Sequence, residues 1–263
     1  MASFDYTAAR VTALRKSLSP ARLDRYRSLA DGDDQKALVL YCWNMSLGQC
    51  LYWPLHAFEI TLRNALGDAI RAQHGDVWFD NIQSFSTYQG TKPNNELEHI
   101  EKAKDKLDED NHDHTHDNIV AASTLGFWHG LFKQEYEKKL YTPLFADLLD
   151  VTDREEAYRK IQQVKRLRNN IAHHEPIIVS SRHKDPRELY KDYKVILKIT
   201  RWICEDTASW VETYSSAQFF NTWNTCPDFF PTLPLGLKDG GNEENSDTWI
   251  WYTKKGPVQK LTH

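Results

Sequence analysis

Long apolar runs are missing from this chain of 263 residues: the stretch of about eighteen uninterrupted apolar residues that would suggest a membrane-spanning helix does not occur. The N-terminus, MASFDYTAAR, has neither a basic start nor an apolar core, which speaks against a secretory leader. Cysteine is scarce. Cys42, Cys50, Cys204 and Cys226 form no CxxC pair and share no repeated spacing, which excludes a zinc knuckle, a thioredoxin-like site and a disulfide framework. Reduced thiols in a cytoplasmic protein are the simplest expectation. Clustered carboxylates are also lacking, because the acidic residues are spread along helical stretches, and this disfavours a metal-dependent nuclease. A strong positive field is absent too. The net charge of −4 at pH 7 excludes a nonspecific nucleic-acid coat, so any contact with nucleic acid must be local. Local positive charge is present in Arg159, Lys160, Lys165, Arg166 and Arg168, followed by Arg182, Lys184 and Arg187. Such runs are most often solvated helix faces.

What remains is a helical pattern. SPARLDRYRSLADG, residues 19–32, reads as a capped helix with Ser19 at the N-cap, Pro20 at the first helical position and Gly32 just past the end. From Asp33 to His74 apolar residues recur at helical spacing, broken only by Pro54, which predicts two helices or one kinked helix ending at Gly75. Residues 80–95 read as a loop, and ELEHIEKAKDKLDED as an exposed charged helix. NHDHTHDN interrupts the chain before IVAASTLGFWHGLFKQEYEKKL, a further helical pattern capped by Asp117 or Asn118. Helices are also predicted over 153–174 and from about residue 187 onward. Beyond Cys226, prolines and glycines mark an irregular extension in which TWIWYT, 248–253, could pair as a short strand. The expected fold is therefore all-α, with a helical domain over 1–226 and an irregular C-terminal extension, 227–263, packed on it or flexibly attached.

One stretch concentrates chemistry: RLRNNIAHHEPI, residues 166–177. Ile161, Val164, Leu167 and Ile171 define the buried stripe of the helix that carries it. His173 lies about 200° around the helical wheel from Ile171 and points away from the core, on the same face as Asn169. Arg168 flanks that face. The negative end of a helix dipole suits an imidazole that must take up and release protons, and a guanidinium can brace a phosphate through two parallel hydrogen bonds. Together these groups are enough to cleave RNA without a metal, one moving protons and the other holding the charged phosphorus centre. Arg and His at a helix C-terminus also serve simply to satisfy carbonyls and the dipole, and spacing alone does not separate the two readings.

Arg168, four intervening residues and His173, with Asn169 directly after the arginine, resemble the signature of the HEPN superfamily (higher eukaryotes and prokaryotes nucleotide-binding domain). LRNNIAHHEPI at 167–177, FEITLRNAL at 58–66, TLGFW at 124–128 and LYCWNMSLGQCLYWPL at 40–55 resemble, in order, its abortive-infection (Abi-like) branch over about residues 19–205. The resemblance implies a HEPN-like helical bundle with additional helices, forming a homodimer whose two Arg-His motifs meet in a cleft that cuts RNA, in phage defence or as a toxin. Carried over, Arg168 and His173 are the catalytic pair and Asn169 their supporting amide. Glu59, Arg63 and Asn64 match the earlier motif, and His174 and Arg166 adjoin the pair as substrate-binding or supporting groups. Glu59 and Arg63 are also an ordinary i,i+4 ion pair, worth a few tenths of a kcal/mol. Phe127 and Trp128 are expected in the core or a dimer contact rather than as stacking platforms. Where HEPN toxins silenced by nucleotidylation carry a tyrosine two residues after the histidine, this chain has Glu175, so a different antitoxin, protein or small RNA, is implied.

HDHTHD at 112–117 offers three histidines at alternating positions, but it reads as a solvent loop without cysteine or supporting groups, and no metal or other cofactor is expected. The competing function is a noncatalytic HEPN-like module that binds RNA, nucleotide or a partner protein through the same residues, since holding a phosphate and cleaving beside it use the same Arg and His.

Overall fold

The computed structural model describes residues 4–88, 95–178 and 187–230, together with the backbone of 252–253 and 256–257. It is an all-α protein. Among the described residues ten α-helices follow one another: α1 (Ala8–Leu18), α2 (Pro20–Arg27), α3 (Asp34–His74), α4 (Asn95–Glu109), α5 (His116–Ala122), α6 (Leu125–Gly130), α7 (Ala146–Leu148), α8 (Arg154–Ala172), α9 (Glu188–Ile203) and α10 (Glu205–Asn224). The chain forms two compact units. One contains Met1–Tyr52, Asn170–Tyr190 and Thr213–His263, and the other Trp53–Asn169 and Lys191–Glu212.

In the first unit, the first half of α3 buries Leu40, Leu47 and Leu51 completely. Trp43 lies against Trp223 and Phe230, and its indole N–H donates to the Thr222 carbonyl at 3.0 Å, so a bulky aromatic is buried without stranding its polar edge. Helix α1 lies outside the sequence expectation because its apolar residues make no buried stripe. Thr7 holds its first turn by accepting from the Arg10 amide. Helix α2 starts at Pro20 as expected, but Ser19 makes no side-chain cap, and the helix ends at Arg27 before turns that reach Gly32 in the left-handed region.

In the second unit, α3 continues past Pro54 without a break to Gly75, whose φ of 86° lets the chain leave the helix. Of the two expected alternatives at Pro54 the structure shows the single helix: Leu55, Phe58, Leu62, Leu66 and Ile70 are all buried, and this packing outweighs one missing hydrogen bond. The predicted loop after residue 80 begins instead as a 3-10 helix, Trp78–Phe85, because Trp78, Phe79, Ile82 and Phe85 all turn inward. Helix α4 is amphipathic rather than wholly exposed, with Glu96, Ile100, Ala103 and Leu107 buried. The next helical pattern is broken twice. Thr115, not Asp117 or Asn118, caps α5, and Thr124 caps α6. A π-helical segment, Glu137–Phe145, follows and contains Pro143. Phe127 and Trp128 are fully buried beside Trp78, as core residues.

The three histidines of 112–117 do not converge. His112 is exposed, His114 pairs with Asp108 at 2.8 Å, and His116 is buried, accepting at Nδ1 from the Trp78 indole at 2.9 Å. The solvent-loop reading therefore fails at His116, which belongs to the first turn of α5. Among the described residues no group of three or more His, Cys, Asp or Glu could hold a metal ion, and no helix is long and apolar enough to cross a membrane. Of TWIWYT, only Tyr252 and Thr253 have a described backbone, pairing antiparallel with Pro257 and Gly256; the remainder of the extension beyond Phe230, and Arg182 and Lys184, lie outside the described residues.

Candidate active site

Helix α8 carries the motif because its apolar spacing fixes which face is free. Ala157, Ile161, Val164 and Leu167 are buried, Ile171 is half-buried, and the Asp153 carboxylate accepts from the Glu155 amide at 2.8 Å to hold the first turn. Arg168 follows Leu167 on the flank of this stripe, half-exposed. Its Nε donates to Glu59 on α3 at 3.2 Å. The expected Glu59–Arg63 pair does not form: Arg63 donates to the Ala121 carbonyl at 3.2 Å, its Nε is buried without a partner, and Asn64 is exposed. Glu59 thus serves the arginine of the later motif. Only 18% of its side chain is exposed, against 41% for Arg168. A screened pair of this kind adds under about 1 kcal/mol to stability. Its consequence is geometric, because a bond through Nε fixes the guanidinium plane and leaves Nη1 and Nη2, which make no hydrogen bond among the described residues, as a ready fork for a phosphate. Asn169 is half-buried and Arg166 exposed in the same unit.

The other half of the motif ends the helix. His173 is exposed and makes no hydrogen bond or ion pair among the described residues. His174 takes a φ of 58°, its amide donating to the Ile171 carbonyl at 3.1 Å while the Glu175 amide donates to the Asn170 carbonyl at 2.7 Å. This is a Schellman stop with a histidine where glycine is usual, and His173 is its C-cap. The expected loosening by Pro176 is answered by this stop and by three side chains outside the motif. Arg22 donates to the His174 carbonyl, Arg25 pairs with Glu175, and the buried Asn44 accepts from the Ile177 and Ile178 amides at 2.8 and 3.3 Å. Sequence reasoning missed these three. Asn44 did leave a signal, as the one amide in the apolar helical run LYCWNMSL.

Each half of the motif is held within its own unit: a carboxylate fixes Arg168, and a backbone clamp fixes the turn that carries His173. A guanidinium so placed can hold an anion, and an exposed imidazole can move a proton. Comparison with curated proteins and with solved structures gives no match. The Abi-like protein family matches residues 10–179, a span that runs from within α1 to beyond the end of α8 and includes the Glu59 and Arg168 pair and the HHEPI turn, and the chain belongs to this family.

Proposed function

We propose that the chain is a metal-independent endoribonuclease of HEPN type acting in abortive infection or as a toxin. The observation that carries this reading is the Glu59–Arg168 bond through Nε, which leaves two guanidinium nitrogens free to hold a phosphodiester. His173 takes the proton from a ribose 2′-OH. The 2′-oxygen then bonds to phosphorus, the bond from phosphorus to the 5′-oxygen breaks, and the departing oxygen is protonated. Arg168 stabilises the negative charge that builds on the non-bridging oxygens. Asn169 supports the pair, and His174, Arg166, Arg63 and Asn64 contribute around it.

The base that takes the 2′-OH proton and the acid that protonates the departing oxygen act on opposite sides of the phosphorus, and one chain supplies His173 on one side. A homodimer that brings two copies of 166–175 together completes the proposed site. Glu175 at the position of the modified tyrosine points to control by an antitoxin that does not modify that residue. The test is cleavage of mixed RNA by purified protein in EDTA. His173→Ala and Arg168→Ala should each lose about 10²- to 10⁴-fold in rate with an unchanged helical spectrum. Binding of RNA without any cleavage would instead establish a noncatalytic module.

A further inference from the structure

A second feature of α8 is not explained by the Arg168 and His173 pair. Lys165 is half-buried, yet no carboxylate lies within ion-pair distance of it among the described residues. Its polar neighbour is the imidazole of His129, with Nζ 3.4 Å from Nδ1. His129 is 4% exposed and its Nε2 has no hydrogen-bond partner, while its ring lies against Tyr158 with centroids 4.4 Å apart. Among the described residues the acid that acts on this cluster is Glu96, and it is already committed. One oxygen accepts from Lys133 at 2.7 Å and the other from the Tyr136 hydroxyl at 3.1 Å. The carboxylate also sits where a Cβ on Gly130 would come within 2.1 Å of it, so it is wedged in place.

The electrostatics of the two groups run the same way. Burial first, and then the charges of Lys165 and Lys133, together push His129 down to about 4, with the Tyr158 backbone opposing only in part; at neutral pH the ring is uncharged. Burial also lowers Lys165, followed by the like charges of Lys133 and Arg166, with Glu96 acting weakly the other way. A protein gains nothing in stability from a half-buried ammonium held against a neutral ring with no carboxylate of its own among the described residues. An arriving anion would remove that cost.

We infer that Lys165, oriented by His129 and flanked by Lys133 and Arg166, is a subsite for a backbone phosphate of single-stranded RNA adjacent to the one held at Arg168. Lys165 and Arg168 are three residues apart on α8, which makes them surface neighbours separated by about 4.5 Å of helical rise. A diester chain that places one phosphate on Arg168 can therefore set a neighbouring one on Lys165. The inference rests on the ribonuclease reading for its substrate, and it adds a residue that binds without taking part in the chemistry.

The test uses full-length protein carrying His173→Ala, so that RNA stays intact, and a fluorescein-labelled single-stranded RNA with hydroxyl ends. Lys165→Gln should weaken binding about tenfold, and the slope of log affinity against log salt should fall by about 0.7. Lys165→Arg should bind within about threefold of the parent. Lys102→Gln, which removes an exposed lysine paired with Glu98, should change little. In the active protein, Lys165→Gln should raise KM and leave kcat nearly unchanged, and its melting temperature should not drop, because a charge without a counter-ion has been removed. If the active protein cleaves RNA and the His173→Ala parent binds it, while the added Lys165→Gln leaves affinity and salt slope unchanged, the subsite is wrong and the ribonuclease reading stands. If the parent does not bind RNA and the active protein does not cleave it, both fall. If inorganic phosphate raises the melting temperature only when Lys165 is present, yet RNA affinity ignores this residue, the occupant is a free phosphate and the backbone assignment is overturned.

Discussion

Replacing Asn44 with alanine tests the clamp behind the motif directly. The side-chain oxygen of Asn44 is the acceptor for two consecutive amides, Ile177 at 2.8 Å and Ile178 at 3.3 Å, and all three residues are buried. Alanine leaves both N–H groups in the interior without an acceptor. Each stranded donor costs about 1–3 kcal/mol, and the longer bond belongs at the low end of that range, so the sum is roughly 3 kcal/mol. For a protein of this size each kcal/mol moves the melting temperature by about 2–4 °C, which gives a drop of roughly 6–12 °C. Circular dichroism at 222 nm reads this shift. Hydrogen–deuterium exchange of a peptide spanning 173–178 should rise before exchange in the peptides of α8, because the loss is local to the turn. RNA cleavage should fall as well, since the turn carries His173. A melting temperature within about 1 °C of the parent, with unchanged exchange at Ile177 and Ile178, would refute the clamp and with it the argument that the turn is held from α3.

Further perturbations separate support from chemistry. Glu59→Gln should alter stability by less than about 1 kcal/mol, because Arg168 is half-exposed, yet slow RNA cleavage by about tenfold or more as the guanidinium loses its charged anchor; kcat on a defined RNA reads this. His174→Gly should hold or raise the melting temperature by a few degrees, since a non-glycine residue in the left-handed region costs about 1–2 kcal/mol. Activity that survives this change would mark His174 as a backbone stop, and activity that vanishes would mark its imidazole as part of the site. Stability should depend on pH through His129. Its folded value of about 4 lies below the unfolded value, so its contribution is complete above about pH 6.5 and is lost as pH falls toward 4. Between pH 7.5 and 5 the loss should be about 2 kcal/mol in denaturant titrations, and His129→Gln should flatten that slope.

The motif on α8 was legible because a helical stripe and a five-residue spacing are local properties. Ile161, Val164 and Leu167 set the buried face, and the outward placement of His173 followed by counting residues. The partners of the motif were not legible in the same way. Glu59 lies 109 residues before Arg168, and sequence alone offered Arg63, one turn away, as an equally good partner. Only tertiary packing diverts Arg63 to the Ala121 carbonyl. Arg22, Arg25 and Asn44 reach the HHEPI turn across more than 130 residues, and nothing in their local spacing names that target. The all-α class was readable from periodicity, whereas the continuity of α3 through Pro54 and the inward turn of Trp78 and Ile82 required knowing which surfaces become core.

Stability alone does not account for the choices made along α8 and its end. A glycine at 174 would relieve the left-handed backbone, and a neutral residue at 165 would spare a half-buried ammonium the company of Lys133 and Arg166. Arg168 binds its carboxylate through one nitrogen where a two-pronged grip would hold it more firmly. Each of these features gives up a fraction of the stability available at its position and keeps cationic or imidazole groups facing outward without full satisfaction. Local conflicts of this kind are what the proposed anion site requires, because a bound phosphate would supply what the fold withholds. The same logic explains why the surrounding residues are over-determined: the buried stripe, the Asp153 cap, the Schellman stop and the Asn44 clamp keep the backbone fixed so that these few side chains can remain incompletely paired.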